Sequence, residues 1–115
     1  SQHCAVDPTR LAIAGFSDGA TYSLSLGVVN GDLFTHIIAY SPGFMIEGPR
    51  HGQPRIFISH GRNDPILPFE RCGHRLATEL QHDGYRVEFV PFDDGHAVPP
   101  DIAQRATNWF AAPGE

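Results

Sequence analysis

The chain has 115 residues, 41% of them hydrophobic and 18% charged, a composition that fits one folded domain and argues against a disordered chain. Its formal net charge is -5, and its 8 Lys and Arg residues are scattered rather than gathered into a stripe, which argues against a nucleic-acid partner. No run approaches the roughly 20 apolar residues of a membrane span, and Ser1-Gln2-His3-Cys4 lacks the basic and then apolar pattern of a secretion signal, so a cytoplasmic protein is expected.

Taken in order, Val6-Asp7-Pro8-Thr9 reads as a turn that feeds a first strand at 10–15, apolar enough to be buried on both faces of a parallel sheet. Gly15-Phe16-Ser17-Asp18-Gly19 is a G-x-S-x-G turn, in which the strand hands over to a helix so sharply that the serine is strained and the flanking glycines avoid clashes. The helix runs from Asp18 to Asn30, with Ala20, Leu24 and Val28 on one apolar face, Gly27 as a close-packing residue and Asn30-Gly31 as its stop. A second apolar strand falls at 35–40, a turn-rich loop at 41–49 and a third strand at 55–60. Gly61-Arg62-Asn63-Asp64-Pro65 then breaks the chain before a helix expected from Phe69 to His82 and closed by Gly84. The stretch 86–92 alternates and is the expected edge strand. After Asp93-Asp94-Gly95-His96 a last amphipathic helix, Asp101 to Ala111, turns Ile102, Ala106, Trp109 and Phe110 inward. Strand and helix alternate throughout, the pattern of an α/β fold with a parallel sheet.

In such a sheet the loops after the strands open at one edge, where ligands bind. Ser17 follows the first strand, Asp64 the third and His96 the fourth. A serine becomes a useful nucleophile only when a neighbouring base takes its proton; an imidazole can do this near neutrality, and a carboxylate can hold it in the right tautomer. A solvated loop residue is the plain alternative for His96, and an Asp-Pro turn or a helix cap is that for Asp64. Asp93 and Asp94 read as a solvated acidic loop. His60 and Asp64 lack a third ligand for a metal site, so no metal and no other cofactor is expected, and His60-Gly61 is expected to shape the acid loop. Cys4 and Cys72 follow no metal or redox spacing and read as idle or buried thiols, with a disulfide between them as the alternative.

Together, Gly15-Phe16-Ser17-Asp18-Gly19, His60-Gly61-Arg62-Asn63-Asp64-Pro65-Ile66-Leu67-Pro68 and Asp94-Gly95-His96-Ala97-Val98-Pro99 resemble the nucleophile, acid and histidine segments of the phospholipase/carboxylesterase-like α/β-hydrolases, relatives of dienelactone hydrolases and acyl-protein thioesterases. The order Ser, Asp, His is that of the α/β-hydrolases. The resemblance implies a serine hydrolase of carboxylic esters or thioesters working through an acyl-enzyme, with Ser17 as nucleophile, Asp64 as acid, His96 as general base and the Asp18 N–H as an oxyanion donor. Phe16, Phe44 and Met45 are candidate acyl-pocket walls, the hydrophobic core being the other place for such residues.

A complete member of that group has further strands before the nucleophile strand, so residues 1–115 correspond to a single domain that is the C-terminal half of an α/β-hydrolase. The strand at 10–15 then becomes an open apolar edge, expected to pair with another copy or with an N-terminal half. A second oxyanion donor is missing with that half. The alternative function is accordingly a weakly active or non-catalytic fragment that acts as an assembly module.

Overall fold

The computed structural model describes residues 10–46 and 48–112; the turn expected at 6–9, and Cys4, lie outside the described residues. Four strands, β1 (Ala12–Phe16), β2 (His36–Tyr40), β3 (Arg55–Gly61) and β4 (Val87–Phe92), form one sheet in the order β1-β2-β3-β4, every pair parallel. Helices α1 (Asp18–Val29), α2 (Gly73–His82) and α3 (Pro100–Ala111) flank it. The expected α/β architecture and all four strands are present.

Burial explains which residues pair where. β2 and β3 are apolar almost without a break, His36-Ile-Ile-Ala-Tyr40 and Ile56-Phe-Ile58, because each lies between two strands and under helices on both faces. On one face Ala20, Leu24 and Val28 of α1 and Leu76, Ala77 and Leu80 of α2 cover Ile37, Ala39, Ile56 and Ile58. On the other, Ile102 and Ala106 of α3, with Trp109 and Phe110, cover Ile38, Phe57 and Val90. Each such fully buried large side chain contributes about 1.5–3 kcal/mol by leaving water. Gly27 makes the approach of α1 possible: a Cβ there would stand 2.4 Å from Cδ1 of the fully buried Ile37.

The two outer strands differ from the inner pair. β4 ends the sheet, as its Pro91, which has no N–H to donate, had suggested. β1 is as apolar as β2, yet among the described residues it has one neighbour, and Ala14 and Phe16 are exposed.

One helix boundary departs from expectation. α2 begins at Gly73, not Phe69. The backbone at Cys72 is not helical, and His74 N–H reaches back five residues to Phe69 O, too wide for an α-helical turn. The cause is packing: a Cβ on Gly73 would stand 2.4–2.6 Å from the His60 ring, so the chain bends there to seat its backbone on the imidazole. Hydroxyls on α1 also do more than pattern reading indicated. Thr21 Oγ1 accepts the N–H groups of Gly43 and Phe44, and Ser25 Oγ accepts that of Ile46, so α1 holds the loop after β2.

Candidate active site

Ser17 caps α1 with φ 61° and ψ -118°, in the left-handed half of backbone space that a residue with a Cβ avoids. Holding it there costs on the order of 1–3 kcal/mol, and the surroundings enforce it. Ser17 N–H donates to Tyr40 O at the end of β2 (2.9 Å), while its carbonyl accepts the N–H groups of Ala20 and Thr21 (3.0 and 3.1 Å). Gly15 lets the turn close, because a Cβ on it would lie 2.2 Å from Gly19 O and 2.8 Å from Ser23 Oγ. Gly19 differs from the sequence-based expectation: a Cβ there would meet nothing within 4 Å. The close approach is made by Gly15 alone, against the backbone of Gly19.

The acid and histidine loops reach the same edge by pairing with each other. Arg62 N–H donates to Phe92 O (2.8 Å) and Asn63 N–H to Asp94 O (3.1 Å), extending the β3–β4 pairing past the sheet. Gly61 permits this, since a Cβ would stand 2.2 Å from Asp94 O. Asp64 is fully buried in its side chain. Its Oδ1 accepts the N–H groups of Ile66 and Leu67 (2.8 and 2.9 Å), an Asx-type turn, which leaves Oδ2 to accept Nδ1–H of His96 at 2.6 Å. The turn-forming and the functional readings of Asp64 are therefore compatible, one per oxygen. On the far side of the ring, Ser17 Oγ–H donates to His96 Nε2 at 2.8 Å. Residues 17, 64 and 96 thus form one hydrogen-bonded line across three loops.

Burial pushes the Asp64 carboxyl up, but hydrogen bonds from Leu67 N–H, His96 and Ile66 N–H, with the attraction of His96, outweigh it and hold the group below the ordinary carboxylate range. An ionised Asp64 thereby faces the Nδ1–H of His96. Asp18 is the first residue of α1, so its N–H belongs to the turn whose donors have no acceptor within the helix. The positive end of the helix dipole adds to the attraction for negative charge beside Ser17.

The three apolar candidates separate. Phe16 is half-exposed, its ring centroid 4.8 Å from that of His96. Phe44 and Met45 line a hollow of about 200 Å³ with Gly43, Arg71, Arg75, Leu76 and Glu79, and Met45 also packs on the core. Asp93 pairs with Arg62 on the surface, and Asp94 Oδ1 accepts its neighbour's N–H at Gly95. Cys72 carries a free, buried thiol. His60, expected with Gly61 to shape the acid loop, is fully buried, and so is most of His36, for which no sequence spacing gave a signal. Among the described residues no three His, Cys, Asp or Glu side chains are grouped to hold a metal ion, and no helix is long and apolar enough to cross a membrane.

The fold recurs in solved structures of α/β-hydrolases. Esterase PE8 superposes with a TM-score of 0.80 at 23% identity, covering 90% of this chain and 50% of that one. The Bacillus cereus carboxylesterase gives 0.76 at 21% identity, again over 90% of this chain and 50% of the other. Acyl-protein thioesterase 1 of Gibberella zeae is 28% identical over 104 residues, 82% of this chain and 44% of that protein. The family model described as phospholipase/carboxylesterase matches residues 1–112, and the chain belongs to that family. It spans about half the length of the relatives it matches.

Proposed function

We propose that this chain carries the reacting groups of a serine hydrolase of carboxylic esters or thioesters. The observation that supports this most directly is the line from Asp64 through His96 to Ser17, with contacts of 2.6 and 2.8 Å. Ser17 Oγ attacks the acyl carbon as its proton passes to His96 Nε2, and Asp64 stabilises the imidazolium. The oxyanion is met by the Asp18 N–H. His96 then returns the proton to the departing alcohol or thiol, leaving an acyl group on Ser17. Water, deprotonated by the same nitrogen, releases the acid and restores the serine. Phe16, packed on His96, is placed to border the acyl or leaving group.

Two donors normally hold an oxyanion of this kind, and one missing donor costs about 10² to 10³ in rate. The described residues offer the helix end at Asp18; the second donor, on this reading, comes from a segment that pairs with the outer edge of β1, in another copy or in an N-terminal half. That requirement predicts slow turnover by the isolated chain rather than none.

A fluorophosphonate probe tests the proposal without knowledge of the substrate. Wild-type chain should be labelled on Ser17, and Ser17→Ala should lose both the label and p-nitrophenyl acetate hydrolysis by about 10³ or more. Equal rates for the two proteins would overturn it.

A further inference from the structure

His60 is the penultimate residue of β3, its side chain fully buried and within hydrogen-bonding reach of the acid loop. Its Nε2 lies 2.6 Å from Leu67 O and 3.4 Å from Asp64 Oδ2. A carbonyl oxygen can only accept, so Nε2 bears the proton and Nδ1 bears none. Nδ1 has no hydrogen-bond partner among the described residues. A leucine or phenylalanine would fill the same space without the stranded Nδ1, which costs about 1–3 kcal/mol. Gly73 gives up its side chain to the ring, and Phe69 meets it edge-on at 5.9 Å. An imidazole kept at such expense points to its one productive atom, Nε2–H.

Leu67 shows what that atom does. Its N–H donates to Asp64 Oδ1 while its carbonyl accepts from His60. The acid loop is thus clasped twice at one residue, once by the carboxylate and once by the imidazole. Without the second clasp, Leu67 could swing away and take with it one of the two N–H groups that fix the Asp64 rotamer. Oδ2 would then no longer be held toward His96.

We propose that His60 is a positioning residue for the reaction above: its neutral Nε2–H, by holding Leu67 O and facing Asp64 Oδ2, sets the carboxylate in the orientation that His96 requires. The inference rests on the proposed function, in that it gives the Asp64–His96 contact a catalytic purpose, but the contact itself can be measured without catalysis. Burial holds the His60 pKa below that of a free imidazole, against the opposing pull of Leu67 O and Asp64, so the ring stays in the neutral form the clasp needs.

The test combines histidine ¹⁵N NMR with labelling. In the wild-type chain near neutral pH, His60 should appear as the Nε2–H tautomer, and the His96 proton bound to Asp64 should give a low-field signal that Asp64→Asn abolishes. His60→Leu should lose or broaden that low-field signal and slow fluorophosphonate labelling of Ser17 by about 10- to 100-fold, the range of comparable outer-shell losses. His60→Gln, whose amide nitrogen reaches the position of Nε2, should keep the signal and label within about fivefold of wild type. An Nδ1–H tautomer in the wild type overturns the proposal even if neither variant folds. So does a folded His60→Leu that retains the low-field signal, or a folded His60→Gln that behaves like His60→Leu. If wild-type Ser17 is not labelled at all, the hydrolase reading fails on its own, and the NMR results still decide whether His60 positions Asp64.

Discussion

Gly15 and Gly19 flank Ser17 at equal distance in the chain, yet the fold makes unequal demands on them. A methyl group on Gly15 would strike backbone atoms of Gly19, which cannot rotate away as a side-chain tip can. Gly15→Ala should therefore cost about 1–3 kcal/mol in urea unfolding and displace the Ser17 turn, lowering probe labelling. Gly19 has open space at its Cβ and lies in the first turn of α1. Gly19→Ala should be neutral or stabilise the chain by up to about 1 kcal/mol, since alanine is the better helix former. If both substitutions destabilise alike, the described geometry of the turn is wrong.

Among the elements, α1 and β1 both expose apolar side chains. Tyr22, Leu26 and Leu33 on and after α1 are 63%, 39% and 56% exposed, and Phe16 at the end of β1 is 41% exposed. Among the described residues β1 also has one edge without a neighbouring strand, whose backbone donors and acceptors invite a further strand. The isolated chain should accordingly sediment above the 12.6 kDa of one copy at high micromolar concentration, and Tyr22→Lys with Leu26→Lys should return it to that mass. A monodisperse wild-type monomer would remove the reason for expecting a partner at this edge. The double variant leaves Ser17, Asp64 and His96 untouched, so its effect on association is separable from any effect on the site.

Acid should weaken the whole molecule in two stages. His36 lies buried beside Arg55 and Arg10, and burial first, then those charges, lower its pKa; burial lowers that of His60 as well. A base whose folded pKa is depressed binds its proton more readily when unfolded. Stability is then full above the unfolded value of about 6.5 and falls as the pH drops below it. Asp64 has the opposite charge and the same sign of effect: its depressed carboxyl favours folding above the unfolded carboxylate value, and that contribution is lost as pH falls through the folded one. Thermal midpoints taken from about pH 8 down to 3 should decline first below about pH 6.5 and again in the carboxylate range. A midpoint that is flat or rises on acidification would contradict the buried histidines described here.

Short windows of sequence determined a good deal: the strained turn around Ser17, the apolar runs of the inner strands, and the order Ser, Asp, His on loops of one edge. Those features depend on local backbone preference and chain order, which are written within a few residues of each other. Only the tertiary structure decided that Gly61 lets the two loops pair, that Thr21 and Ser25 serve the next loop, and that α2 waits until Gly73 to clear the His60 ring. It likewise placed Phe16 on His96 and Met45 against the core, though both had the same apolar signal. Burial is a property of which distant elements meet, and no spacing along the chain encodes that His60, fifty-nine residues in, ends beside Asp64 with one proton to donate.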